Sequence, residues 1–141
     1  MSKTNTQGKI AESKIVHEYV KRNVKVAIPY SLDVSYDLII DINNQFKRVQ
    51  VKSAESDDHL LRVKLQRTYK LGNNKTVYRN YSKDDFDWLA VHDRRTDQCY
   101  LVPSEACHNK GKLNLRLQPT RNGRRKGILF ASSFEFPQSF D

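Results

Sequence analysis

YDLIIDINNQFKRVQVK, residues 36–52, reads as two strands joined by a two-residue turn. Residues 36–42 and 46–53 are rich in β-branched and aromatic side chains, and Asn43-Asn44 tolerates the positive φ angles of a type I′ hairpin. With that turn, Ile42 faces Gln45, and counting back sets Asp37 opposite Gln50. Side chains alternate along a strand, so Asp37 and Ile39 share a face with Arg48, Gln50 and Lys52. The other face, with Leu38, Ile40, Val49 and Val51, is apolar and faces the core. An acid, an amide and a lysine on one side of half-buried strands point to a charged ligand. The alternative is a partly buried Asp37–Lys52 ion pair with Gln50 hydrogen-bonded beside it.

Upstream, residues 8–22 carry the period of an amphipathic helix, preceded by a frayed polar terminus at 1–7. At about 100° per residue, Ala11, Ile15, Val16, Tyr19 and Val20 fall on one side. Lys14, His17, Glu18 and Lys21 fall on the other. Glu12 sits inside the apolar arc. It is either a carboxylate paired with a cation or metal at the site, or an edge residue favoured in the first turns by the helix dipole. Residues 24–28 form a short strand ended by Pro29.

Downstream, 59–67 alternates Leu61, Val63 and Leu65 against Arg62, Lys64 and Gln66, a strand with one basic face. Residues 69–81 form a loop or ribbon turned at Gly72-Asn73-Asn74, with Tyr69, Tyr78 and Tyr81 interleaved among basic residues. The tyrosines serve either DNA contact or the rim of the core. Residues 82–85 read as a helical turn capped by Ser82, 86–92 as a central strand, and 98–103 as its neighbour. Residues 104–109 read as a second short capped helix and 112–117 as an alternating strand. The final apolar run ILFASSFEF, 128–136, is a strand, a packing segment or an oligomer contact.

The chain has 141 residues and a formal charge of +9, enough for one domain with a real core and suited to a polyanionic partner. Charge distribution says more than the sum. Residues 59–83 hold seven Lys or Arg and no acid, and so do residues 106–134; these blocks carry 14 of the 25 basic residues. Ordinary surfaces intersperse both signs, so the blocks predict nucleic-acid contact. The candidate contacts are Arg62, Lys64, Arg67, Lys70, Lys75 and Arg79 in the first block. In the second, 106–127, they are Arg121, Arg124, Arg125 and Lys126. No apolar run approaches a membrane span and MSKTNTQGKI lacks a signal-peptide core, so an intracellular protein, cytoplasmic or nucleoid-associated, is expected. Cys99 and Cys107 read as small packing residues. With His92 and His108 they lack the paired short spacings of a zinc site. There is no Gly-rich phosphate loop.

Phosphodiester hydrolysis needs an activated water and a charge clamp on the phosphate, which a carboxylate-held divalent metal supplies. Mg²⁺ takes hard oxygen ligands and keeps several waters. Asp37 is the natural primary ligand, Gln50 can offer its amide oxygen and Val51 its backbone carbonyl. Glu12 can add a further ligand or bind water. Lys52 can hold the nucleophilic water or stabilise developing charge.

Glu12 within GKIAE, Tyr36-Asp37 and Gln50-Val51-Lys52, with DLII, RVQVKS, YSKDDFDWLAV and CYLVP around them, resemble the PD-(D/E)XK nuclease superfamily in its compact form. The layout covers residues 8 to 103 and is most similar to the group I intron-encoded homing endonuclease branch. The resemblance implies an α/β (α+β) fold, a mixed β-sheet flanked by helices, and a single nuclease domain over 1–141. It implies a Mg²⁺-dependent (or Mn²⁺-dependent) endonuclease that cuts a long, near-palindromic double-stranded DNA target as a homo-oligomer, a dimer or a dimer of dimers. A Holliday junction resolvase-like nuclease and a catalytically inactive DNA-binding module are the alternatives. Tyr36 stands where the motif has proline. Gln50 stands where it has a second acid, which removes one negative charge from the metal site; glutamine here is also known in the homing branch.

Overall fold

The computed structural model describes residues 2–141, without the side chains of Arg67 and Tyr69. Helix α1, Lys3–Val20, opens the chain. It begins earlier than its apolar period suggests, because Ser2 caps it: the Ser2 hydroxyl accepts from Asn5 N at 3.2 Å. Residues 3–7 are therefore helical and not a frayed terminus. Ala11, Ile15 and Tyr19, spaced by four, are fully buried. Two expectations on this helix fail. Val20 is exposed, whereas Glu18 is buried and ion-paired with Lys14, Lys21 and Arg22.

The main sheet has five strands in the order β1-β2-β3-β7-β8. These are β1 Lys25–Ala27, β2 Leu38–Ile42, β3 Gln45–Ala54, β7 Trp88–Asp93 and β8 Cys99–Pro103. The β2–β3 hairpin has the expected register, with Ile42 opposite Gln45 and Leu38 opposite Val49. Asn43 and Asn44 have φ of 52° and 64°, as a type I′ turn requires. The sheet is mixed, since β3 and β7 pair in parallel while the other neighbours are antiparallel. A parallel pair needs a long crossover. Here the crossover carries β4, Leu60–Lys64, then a separate two-stranded ribbon of β5, Arg67–Lys70, and β6, Thr76–Arg79.

A second sheet, ordered β10-β9-β4, joins β4 to β9, Lys112–Arg116, and to β10, Leu129–Phe130. Its inner face packs Leu61, Val63, Leu113 and Leu115 onto Leu89, Val91, Tyr100 and Val102 of the main sheet. On the opposite face of the main sheet, Leu38, Ile40, Val49, Val51, Ala90 and Leu101 pack against α1. The order is helix, five-stranded sheet, small sheet, and alternation along β7 and β8 feeds both cores.

Two short segments differ from expectation. Residues 82–85 make a tight turn, not a helix, with the Asp85 carboxylate accepting from Ser82 N at 2.8 Å. Within the expected helix over 104–109 only Ser104–Ala106 is helical, as one 3-10 turn without a side-chain cap. The apolar tail packs within its own chain: Leu129 and Phe134 join the small-sheet core, and Phe136 stacks edge-on to Tyr19 with ring centroids 4.9 Å apart. Its covered side chains have their partners in the monomer. Cys99 and Cys107 are buried free thiols, and burial pushes both up to about 12.

Candidate active site

Asp37 is the last residue before β2, and its amide N donates to Val49 O across the hairpin at 2.8 Å. Its side chain turns back to the neighbouring strand, where Oδ2 accepts from Val51 N at 2.8 Å. Burial pushes the Asp37 carboxyl above its ordinary value; the Val51 hydrogen bond and the fields of Lys52 and Lys9 oppose this without cancelling it. A desolvated carboxylate with too little compensation is suited to a cation.

Glu12 meets Asp37 across an open cleft of about 320 Å³, lined by Thr4, Asn5, Gly8, Lys9, Glu12, Asp37, Gln50 and Val51. The helix lies on the Val49/Val51 face, opposite the Gln50 side chain. Glu12 lines one cleft with Asp37 and Gln50 at the end of the hairpin. Its carboxylate lies 3.8 Å from Lys9 Nζ. Gln50 Nε2 donates to Val51 O at 3.2 Å, so the two neutral oxygen donors of the site are coupled.

The donor set is two carboxylates and two neutral oxygens, all hard, and it fits Mg²⁺ or Mn²⁺ with water completing the shell. Among the described residues no three His, Cys, Asp or Glu side chains cluster as a metal site.

Lys52 shares the strand face of Gln50 but does not line the cleft. Its ammonium lies 5.3 Å from the centroid of the Tyr81 ring, while its field still reaches Asp37. Asp37, Glu12, Gln50 and Val51 are thus brought together, with Lys52 at the margin. The sequence reading missed Lys9, Gly8 and Tyr81. The expected helix already covered Gly8 and Lys9 without marking them as cleft residues, and Tyr81 was read as a ribbon tyrosine for DNA or the core rim, with nothing local to set it against Lys52.

The candidate DNA contacts fall into three exposed groups. The outer face of the small sheet pairs Lys64 with Lys112 and Arg62 with Asn114. The ribbon carries Lys70, Lys75 and Arg79, and the loop after β9 carries Arg121, Arg124, Arg125 and Lys126. Arg67 lies on β5, but its side chain, like that of Tyr69, is outside the described residues. Tyr78 is exposed and Tyr81 buried, so the ribbon tyrosines divide between surface and core. The first acid-free block is partly balanced from its borders: Arg62 pairs with Asp57 at 2.7 Å and Arg79 with Asp85 at 3.3 Å.

A family model described as PD-(D/E)XK endonuclease matches residues 2–137. The solved structure of the bacterial homing endonuclease I-Ssp6803I superposes with a TM-score of 0.74 at 25% identity, over 95% of this chain and 89% of that one. No curated protein matched the chain.

Proposed function

This chain belongs to the PD-(D/E)XK endonuclease family, and on that premise we propose that it cuts duplex DNA in a metal-dependent, site-specific manner. The observation that carries the reading is the meeting of Asp37 and Glu12 in one cleft with Gln50 and Val51. Asp37 and Glu12 would hold the cation through their carboxylates, with Gln50 and Val51 as neutral oxygen donors. A bound divalent ion supplies a water of lowered pKa and a positive field at the phosphate. Lys52 orients the attacking water or neutralises charge that develops on the phosphate.

The basic faces support a DNA substrate, and Lys64, Lys112, Asn114 and the ribbon offer both phosphate and base-edge contacts. The homing endonuclease likeness supports a DNA endonuclease, and we infer a long, near-palindromic target for it. One chain holds one such cleft, so cutting both strands calls for two copies related by the DNA dyad, as a dimer or dimer of dimers. A stable monomer by light scattering that cuts both strands in one binding event overturns this part.

The test is cleavage of a randomised duplex library in Mg²⁺. Asp37→Asn and Lys52→Ala should each lower cleavage at least about a hundredfold, with DNA affinity in Ca²⁺ near wild type. Undiminished cutting by either variant removes that residue from the site. A binding-only reading draws on Gln50, which leaves one negative charge fewer; it predicts binding without cleavage in any metal. Preference for branched DNA regardless of sequence would instead favour a junction nuclease.

A further inference from the structure

We propose that Tyr81 is the positioning residue for Lys52: its ring face holds the lysine ammonium at the margin of the cleft and ties it to the DNA-facing ribbon. The inference rests on Lys52 acting in cleavage as proposed above. Three observations carry it. The Lys52 ammonium lies over the Tyr81 ring, 5.3 Å from its centroid, within the range of a cation–π contact. The ring itself is immobilised, being 3% exposed and packed edge-on to Phe86 at 5.3 Å. The backbone around it is anchored too, since Asn109 N donates to Tyr81 O at 2.8 Å.

A lysine has four rotatable side-chain bonds and no fork to orient it, so an unsupported ammonium at the edge of an open cleft samples many positions. A fixed aromatic face narrows that range without contributing a negative charge that would compete with Asp37 for the cation. Asparagine or carboxylate support would not combine these properties.

The placement in the chain adds a second consequence. Tyr81 follows the ribbon strand β6 by two residues, and Arg79 at the end of β6 pairs with Asp85 in the turn beyond Tyr81. Residues 79–85 thus form one braced segment between the basic ribbon and the ring beneath Lys52. DNA that engages the ribbon bears on the segment that sets the lysine's position.

The test keeps the shape of the side chain and changes only its electrostatics. Tyr81→Phe is compared with the same variant carrying a perfluorinated ring, under single-turnover conditions with enzyme in excess. Tyr81→Phe should cut within about threefold of wild type. The perfluorinated ring, whose face no longer attracts a cation, should cut about tenfold more slowly. Both should melt alike and bind DNA alike in Ca²⁺. Equal rates for the two rings overturn the proposal, because a packing role alone does not distinguish them. Lys52→Ala is run beside them. Should it cut like wild type, the role of Lys52 fails; should it be inactive while both rings cut equally, only the role of Tyr81 fails.

Discussion

Asp37 concentrates the conflict between stability and chemistry in one side chain. Burial raises its pKa, so at neutral pH the native state holds a charge in a place that disfavours it. The sign follows directly: the folded carboxyl binds its proton more tightly than the unfolded one, so this residue's contribution to stability falls as pH rises through the window above the ordinary value of about 4. Asparagine at this position still accepts from Val51 N but carries no charge. Metal-free Asp37→Asn should therefore melt a few degrees above wild type at pH 7, with the gap closing toward pH 4. Mg²⁺ should raise the wild-type Tm and raise that of the variant much less, because the variant lacks the primary carboxylate of the donor set. A calorimetric titration over pH, with and without Mg²⁺, measures both effects.

At the scale of the element, the last turns of α1 are held by charge as much as by apolar packing. Glu18 is buried, yet its carboxyl is held below its ordinary value: burial works to raise it, and hydrogen bonds from Lys21 and Arg22 with the field of Lys14 outweigh that. Arg22 then stacks on Phe136 at 4.8 Å and donates to Pro137 O, which fastens the tail to the helix end. Removing the charge leaves three cations around a neutral amide. Glu18→Gln should cost about 2 kcal/mol at pH 7. A depressed folded pKa contributes stability above the unfolded pKa and loses it as pH falls through the folded one. The difference in denaturant midpoint between wild type and variant should therefore be full at pH 7 and shrink below about pH 4. A difference independent of pH would show that the variant acts through packing alone.

At the scale of the molecule, the two sheets divide the work. The five-stranded sheet buries both of its faces and holds the cleft at the end of one hairpin. The small sheet buries one face and presents lysine, arginine and asparagine on the other. Lys64 and Lys112 are cross-strand partners, two like charges placed side by side. Such a pair is unfavourable on a free protein and is relieved by a phosphate. Changing both to glutamine should lower the log–log slope of DNA affinity against salt by roughly 2, about 0.9 per lost phosphate contact. Arg62, already paired with Asp57, should contribute less when changed alone. Binding isotherms at four or five salt concentrations give the slopes. An unchanged slope would mean that this face points away from DNA.

The sequence by itself determined the hairpin and its register, because two asparagines with positive φ leave one pairing and the period of two then assigns every side chain to a face. It also set Asp37 beside Gln50 in one hairpin, while Lys52, on the same strand, ends at the margin of the cleft. The buried β4, β7, β8 and β9 segments were legible for a similar reason: their apolar patterns are set by the faces they cover. Three things were decided only in three dimensions. Glu12 reaches the cleft from the far face of the sheet, which depends on how α1 crosses β3 and not on its own periodicity. Glu18 pairs with Lys14, Lys21 and Arg22 at local helical spacing, but its burial is set by the fold, where those cations compensate the charge that marked it as a surface residue. Tyr81 meets Lys52 only because the parallel pairing of β3 with β7 brings the end of the long crossover back beneath the hairpin. Hydrophobic period reports which face of an element is covered; contacts between residues far apart in the chain, and the charges that compensate one another across them, are set by packing.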